Sequence, residues 1–290
     1  MELLWEVLEE TLVDSVKMLP FLYLAYLAIE TIERRHGERI ERALAGGGRW
    51  GFVPGALLGC VPQCGFSAVA ANLYASRVIT LGTLMAVYLA TSDEAVPLLA
   101  SMPDKWGELA ILLAFKVVYG LIAGFVLDAV GRRVLPAHLQ GGYTGHAEEV
   151  DCHEEHQESG GIWLAALRHT LEIFAFILLF GFVLGLAVEA IGYDAFAQVL
   201  GGLGFIQPLL AALVGLIPNC AASVLLTQLY LEGALRFSSL VAGLCTGAGV
   251  GLAVLWRANP SWKQNLFITV LLWAMGALAG VGIQVVMLLI

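Results

Sequence analysis

Apolar runs of about 20 residues recur along this chain from residue 11 to its end, the length an α-helix needs to cross about 30 Å of hydrocarbon. Breakers and charges between the runs predict a span at about 11–32, a basic loop reading ERRHGERIERALAGGGRW, and an interrupted segment at about 51–76. Spans at about 78–101 and 107–130 follow. After a polar stretch from Gly131 to Gly161 come a span at about 163–191, a second interrupted segment at about 199–232, and spans at about 237–257 and 264–289. The order of elements is the same in both halves.

The halves also repeat residue by residue. Moved by 156 positions, Gly59, Pro62, Cys64, Ser67, Leu73, Tyr74, Leu84 and Ala86 fall on Gly215, Pro218, Cys220, Ser223, Leu229, Tyr230, Leu240 and Ala242. Upstream, LAIETI (27–32) falls on LAVEAI (186–191), which matches Glu30 with Glu189. Agreement among apolar residues is common by chance, whereas matched Pro, Cys, Ser, Tyr and Glu are not. The chain reads as a duplicated unit: a first repeat over 1–130, a His- and acid-rich linker over 131–161, and a second repeat over 162–290.

Orientation follows from the basic residues, because short cytoplasmic loops are enriched in Lys and Arg. Arg34, Arg35, Arg39, Arg42 and Arg49 put the first loop inside; Arg132, Arg133 and Arg168 do so for the linker, and Arg257 with Lys263 for the last loop. All three assignments hold together only if each interrupted segment enters and leaves on one side. Each half then has three spans and one re-entrant hairpin, an odd number of crossings, so the halves run in opposite senses and both termini lie outside. This is an all-α polytopic membrane protein with two inverted-topology repeats, the plan of many secondary transporters. Arg236 is the charge that conflicts, since this topology leaves it outside.

Composition agrees with a bilayer: 59% hydrophobic and 13% charged residues, with a mean hydropathy of +0.82. The acidic start, MELLWEVLEETL, predicts no cleavable signal peptide. The net charge of −9 comes largely from that start and from the linker, and implies no nucleic-acid partner. Of five cysteines, four lie in apolar segments (Cys60, Cys64, Cys220, Cys245) and Cys152 lies in the linker, which is not a secreted disulfide framework.

The candidate chemistry sits where the apolar pattern is interrupted, at VPQCGFSAVAANLY (61–74) and IPNCAASVLLTQLY (217–230). A proline inside a helix removes a hydrogen bond and clashes with the preceding turn, so Pro62 and Pro218 mark where helices stop. Non-helical backbone at membrane depth persists only when buried in protein or lining a wet cavity. Gln63, Cys64 and Ser67 on the first tip, and Asn219, Cys220 and Ser223 on the second, fit a shared polar site near the midplane. The same side chains also serve to cap broken helix ends or to let helices pack closely.

Thr91, Asp93 and Glu94 in the next span, and Thr246 at the matching stretch CTGAGVG of the second half, complete the candidate substrate site. An intramembrane carboxylate is costly and marks function by default. On a continuous helix Asp93 and Glu94 point different ways, so at most one need face the site. Lys116 is a candidate partner for Asp93, Asp14 for Lys17, and Glu30 and Glu189 lie near span ends at the interface. In the linker, His146, Cys152, His153 and His156 are of metal-ligand type but lack structural-zinc spacing, and a solvated acidic linker explains them equally well.

Four stretches, LPFLYLAYLAIE, GCVPQCGFSAVAANLYASRVITLGTL, TSDEAVP and GLIPNCAASVLLTQLYLEGALRFSSLVAGLCTGAGVG, resemble the ten-segment heavy-metal exporter family, whose members are labelled arsenic efflux proteins or manganese transporters. The likeness covers nearly the whole chain, and counting each hairpin as two segments also makes ten. The resemblance implies a cell (inner) membrane exporter of a metal or metalloid ion, with no enzymatic activity and no cofactor. Ligand softness divides the cargo: Cys64 and Cys220, with Cys245 or Cys60, suit trivalent arsenic, whereas Asp93, Gln63, Asn219 and carbonyls suit manganese. A small organic ion stays open, and a proton taken by Asp93 or Glu94 is the favoured coupling. The rival from another class is a transmembrane thiol-disulfide carrier using Cys64 and Cys220.

Overall fold

The computed structural model describes residues 50–62, 64–92, 94–134, 204–218 and 220–289, with a few positions between 19 and 27 and between 163 and 175. Apart from those positions, the spans at about 11–32 and 163–191 and most of the linker lie outside the described residues, as do Asp14, Lys17, Glu30 and Glu189.

Regular structure among the described residues is helical, and its order repeats. The first series is α1 (Phe52–Gly59), α2 (Cys64–Ala75), α3 (Leu81–Ala90), α4 (Ala95–Ala100) and α5 (Trp106–Val134); the second is α6 (Ile206–Gly215), α7 (Cys220–Leu231), α8 (Phe237–Thr246), α9 (Val250–Ala258) and α10 (Trp262–Leu289). Three of the partner pairs start 156 residues apart: 64 and 220, 81 and 237, 106 and 262. Helix α5 continues to Val134, four residues past the expected end of that span at residue 130.

Length separates two kinds of helix. At about 1.5 Å per residue, α5 and α10, with 29 and 28 residues, exceed the about 30 Å of a bilayer core, and both are apolar enough to cross it. The residues from Phe237 to Ala258 form a third apolar stretch of crossing length. By contrast α1, α2, α3, α6, α7 and α8 have 8 to 12 residues, roughly half that thickness.

Helix α3 is apolar all round and every one of its residues is buried, as is every residue of α8 after Phe237. These two form the centre. Around them α5 packs on α3 and α10 on α8, while α1 covers α3 and α6 covers α8. On their far sides α5 and α10 expose large apolar side chains such as Ile111, Val118, Ile122, Leu266, Val270 and Leu278. A continuous apolar exterior of this kind is what lipid requires and water penalises.

Small residues set the closeness of the long helices to the centre. A Cβ on Gly120 would stand 3.0 Å from the Ala86 carbonyl, and one on Gly276 would stand 2.9 Å from that of Ala242. One turn on, Gly124 meets the Gly82 carbonyl at 2.9 Å and Gly280 that of Ser238 at 2.6 Å. Each long helix thus carries a Gly-x-x-x-Gly face that admits the neighbouring backbone, in the same register in both halves.

The turns after α2 and α7 are matched as well. Val78 N–H donates to Leu73 O at 2.8 Å and Arg77 N–H to Tyr74 O at 2.9 Å; Ala234 N–H donates to Leu229 O and Gly233 N–H to Tyr230 O, both at 3.0 Å. This paired pattern needs a left-handed residue just past the helix. The second half supplies Gly233 at φ 72°, whereas the first places Arg77 there at φ 60°. Arg77→Gly is therefore expected to raise thermal stability in detergent by about 1 kcal/mol, and Gly233→Ala to lower it by a similar amount. Equal and opposite shifts in unfolding midpoint are the check.

Candidate functional site

The interrupted segments break as their prolines require. Helix α1 ends at Gly59 and α6 at Gly215, three residues before Pro62 and Pro218, and new helices begin at Cys64 and Cys220. The last turns tighten before stopping: Val61 N–H donates to Leu58 O at 3.0 Å and Ile217 N–H to Val214 O at 3.1 Å.

The following segments differ from the continuous spans expected at 78–101 and 237–257. Both are broken in the middle. In the first, Thr91 closes α3 in an extended conformation and the chain re-forms a helix at Ala95. Thr91 Oγ1 donates to Val87 O at 2.8 Å and Ser92 Oγ to Ala90 O at 3.1 Å, so side chains compete for carbonyls the helix would use. Pro97 sits in the first turn of α4, where a missing N–H costs nothing, but it could not have sat inside an unbroken helix. In the second, Gly247-Ala248-Gly249 separates α8 from α9, and Gly249 adopts φ 53°, ψ −141°, a conformation open to glycine. Glu94 therefore stands at the start of a new helix and not inside one continuous span.

The helix ends converge. A Cβ on Gly59, at the end of α1, would lie 2.6 Å from Val87 O and 3.3 Å from Thr91 N, which presses the first tip against the first break. A Cβ on Gly215 would run into Gly243 O and Thr246 Oγ1, the matching contact in the second half. Between the breaks stands Lys116, fully buried in α5. Its ammonium donates to Thr91 O and to Leu244 O, carbonyls at the C-terminal ends of α3 and α8. Helix C-termini carry partial negative charge, so a cation is favoured at this place. Cys60 and Cys245 both lie within the electrostatic reach of that ammonium.

Contacts between the halves flank this centre. Ser223 Oγ on α7 donates to Glu94 Oε2 at 3.2 Å, and both residues are buried. In the reciprocal place Ser67 on α2 packs directly on Gly251 of α9, 2.7 Å from where a Cβ would be. Tyr88 O–H donates to Gly251 O at 2.9 Å, and Tyr119 O–H donates to Met275 O at 2.7 Å, from one long helix to the matching position of the other.

Of the residues singled out from sequence, Ser67, Thr91, Glu94 and Ser223 are buried in this region. Thr246 is buried too, but its hydroxyl faces Ala212 O at 2.7 Å and Gly243 O at 2.9 Å, joining α8 to α6. Gln63, Asp93 and Asn219, the side chains of Cys64 and Cys220, and the linker residues His146, Cys152, His153 and His156 lie outside the described residues. Among the described residues no three His, Cys, Asp or Glu side chains group as metal ligands. The pairing of Lys116 with Asp93 falls outside the described residues; sequence reasoning missed the carbonyl partners of Lys116, which no side-chain pattern encodes, and passed over Tyr88, whose aromatic hydroxyl inside an apolar helix was a readable signal.

A family model with the description "Putative, 10TM heavy-metal exporter" matches residues 2–196 and 148–253. No curated protein and no solved structure matches the chain.

Tyr88→Phe removes a buried bond between the halves and leaves the Gly251 carbonyl short of that donor, an expected loss of about 1–2 kcal/mol in thermal or denaturant unfolding. An unchanged midpoint would mean that this bond does not hold α3 to α9.

Proposed function

This chain belongs to the family of ten-span heavy-metal exporters, and from that premise we propose that it is a secondary-active exporter of a metal or metalloid ion, working by alternating access between two inverted halves. Helices with lengths and apolarity suited to crossing a bilayer support the multi-pass part of this reading. The observation that carries the mechanism is the meeting, at Lys116, of two broken helices from different halves of the sequence. Helix ends and unwound backbone at membrane depth are how such transporters hold ions, because the freed carbonyls and N–H groups act as ligands without side-chain charges.

In this reading the halves are residues 1–130 and 162–290, the interrupted segments are hairpins entering from opposite faces, and both termini lie outside. Short helices of half-membrane length support the hairpins. A common end for the loop after α4, the end of α7 and the start of α8 supports the sidedness: Lys105, Tyr230 and Arg236 line one pocket of about 470 Å³, where Lys105 pairs with Glu108 at 3.1 Å and Tyr230 O–H donates to Glu108. Arg236, left outside by the topology, is thereby in an interfacial setting with other polar groups.

The cargo site is formed by Gln63, Cys64 and Ser67 of one tip, Asn219, Cys220 and Ser223 of the other, and Thr91, Asp93, Glu94 and Thr246 at the breaks. Thiols suit arsenic-type ions, while carboxylate, amide and carbonyl oxygens suit a divalent cation. Glu94 accepts from Ser223 across the halves, so a proton or a cation arriving at this carboxylate alters a contact that holds the halves together. That coupling of charge to an interface is what proton-driven alternating access requires.

A thermal-shift screen of the purified protein against arsenite, manganese, zinc and small organic ions identifies the cargo, and everted vesicles then measure its accumulation. Cys64→Ala is expected to weaken binding of a soft ion, and Asp93→Asn or Glu94→Gln that of a hard one, by on the order of tenfold, equivalent to about 1.4 kcal/mol of lost interaction. Glu94→Gln is also expected to remove the dependence of transport on a pH gradient. Binding and transport that survive all three substitutions would place the cargo elsewhere and defeat this assignment.

A further inference from the structure

Lys116 meets ligands of the kind that a free cation takes. Its nitrogen is bonded by backbone carbonyls from two helix ends, one at the cap of α3 and one in the last turn of α8. Carbonyl oxygens at helix C-termini are the ligand type that hard monovalent cations take at membrane depth, and the dipole ends add negative potential there. An ammonium is a compact, oxygen-seeking point charge that meets the same ligands. The matching position of the other long helix, Leu272, is apolar and fully buried, so one tethered charge serves both helix ends.

We propose that the ends of α3 and α8 form a monovalent-cation site and that Lys116 fills it from within the chain, in place of sodium or potassium. The inference has two consequences. Transport needs no free alkali cation at this point, which leaves coupling to the acidic break. And the halves are tied at their breaks by a charge that cannot dissociate, unlike an ion exchanged with solution. The inference rests on the geometry around Lys116 and not on the identity of the cargo; its readout is ion binding, so a failed export assay and a failed cation assay are separable results.

The test compares wild type, Lys116→Ala, which opens space among the carbonyls, and Lys116→Met, which fills that space without charge. Melting temperatures in detergent are measured against NaCl, KCl and propylammonium chloride, with choline chloride at matched ionic strength as the control. Lys116→Ala is expected to show a saturable rise of several degrees with sodium, potassium or propylammonium and none with choline, while wild type and Lys116→Met respond to all four salts alike. The proposal is overturned if Lys116→Ala responds as it does to choline, or if wild type or Lys116→Met shows the same saturable rise. It is equally overturned if Lys116→Ala cannot be obtained folded in any of these salts, with or without Lys116→Met, because a free cation then does not replace the ammonium.

Discussion

A charged ammonium buried in a low-dielectric interior costs several kcal/mol unless oriented groups compensate it. Lys116 obtains part of that compensation from the backbone carbonyls of Thr91 and Leu244, which lie at helix ends where intrahelical N–H partners run out. That constraint organises the molecule. Two central helices stop beside α5, the chain leaves helical geometry at residues 91–92 and 247–249, and the ends of α1 and α6 close over the stops through Gly59 and Gly215. The long helices then need glycine faces to reach the centre, and they present their remaining apolar surface outward.

The scaffold is repeated while the chemistry on it is not. The starts of three helix pairs, the tip contacts, the glycine faces and the turns after α2 and α7 recur at one offset. Yet Glu94 stands where the second half has Val250, Asp93 where it has Gly249, Lys116 where it has Leu272, and Tyr88 where it has Leu244. Packing is thus held by residues that match, and charge is carried by residues that do not. The two halves are thus alike in shape and unlike in charge.

Much of this was readable in the chain. Prolines inside apolar runs located the tips, and the matched Pro, Cys, Ser and Tyr positions revealed the offset that the helix boundaries follow. The breaks after α3 and α8 escaped because their hydropathy is that of an ordinary span, although Pro97 and the glycines at 247 and 249 were available as breakers. The carbonyl partners of Lys116 were not legible in principle, since every residue carries a carbonyl and only the fold selects Thr91 and Leu244. A sequence shows carboxylates and does not show where helices will end.

The central claim is that two tips from opposite halves meet around one site, and the native thiols offer the most direct measurement of it. In a chain keeping Cys64 and Cys220 alone, with Cys60, Cys152 and Cys245 replaced by Ala or Ser, a short bifunctional thiol reagent is applied in membranes and the linker is then cut by protease. The account predicts that the two halves remain covalently joined and that the bridge is blocked by bound cargo. Halves that separate after both thiols have reacted would contradict it.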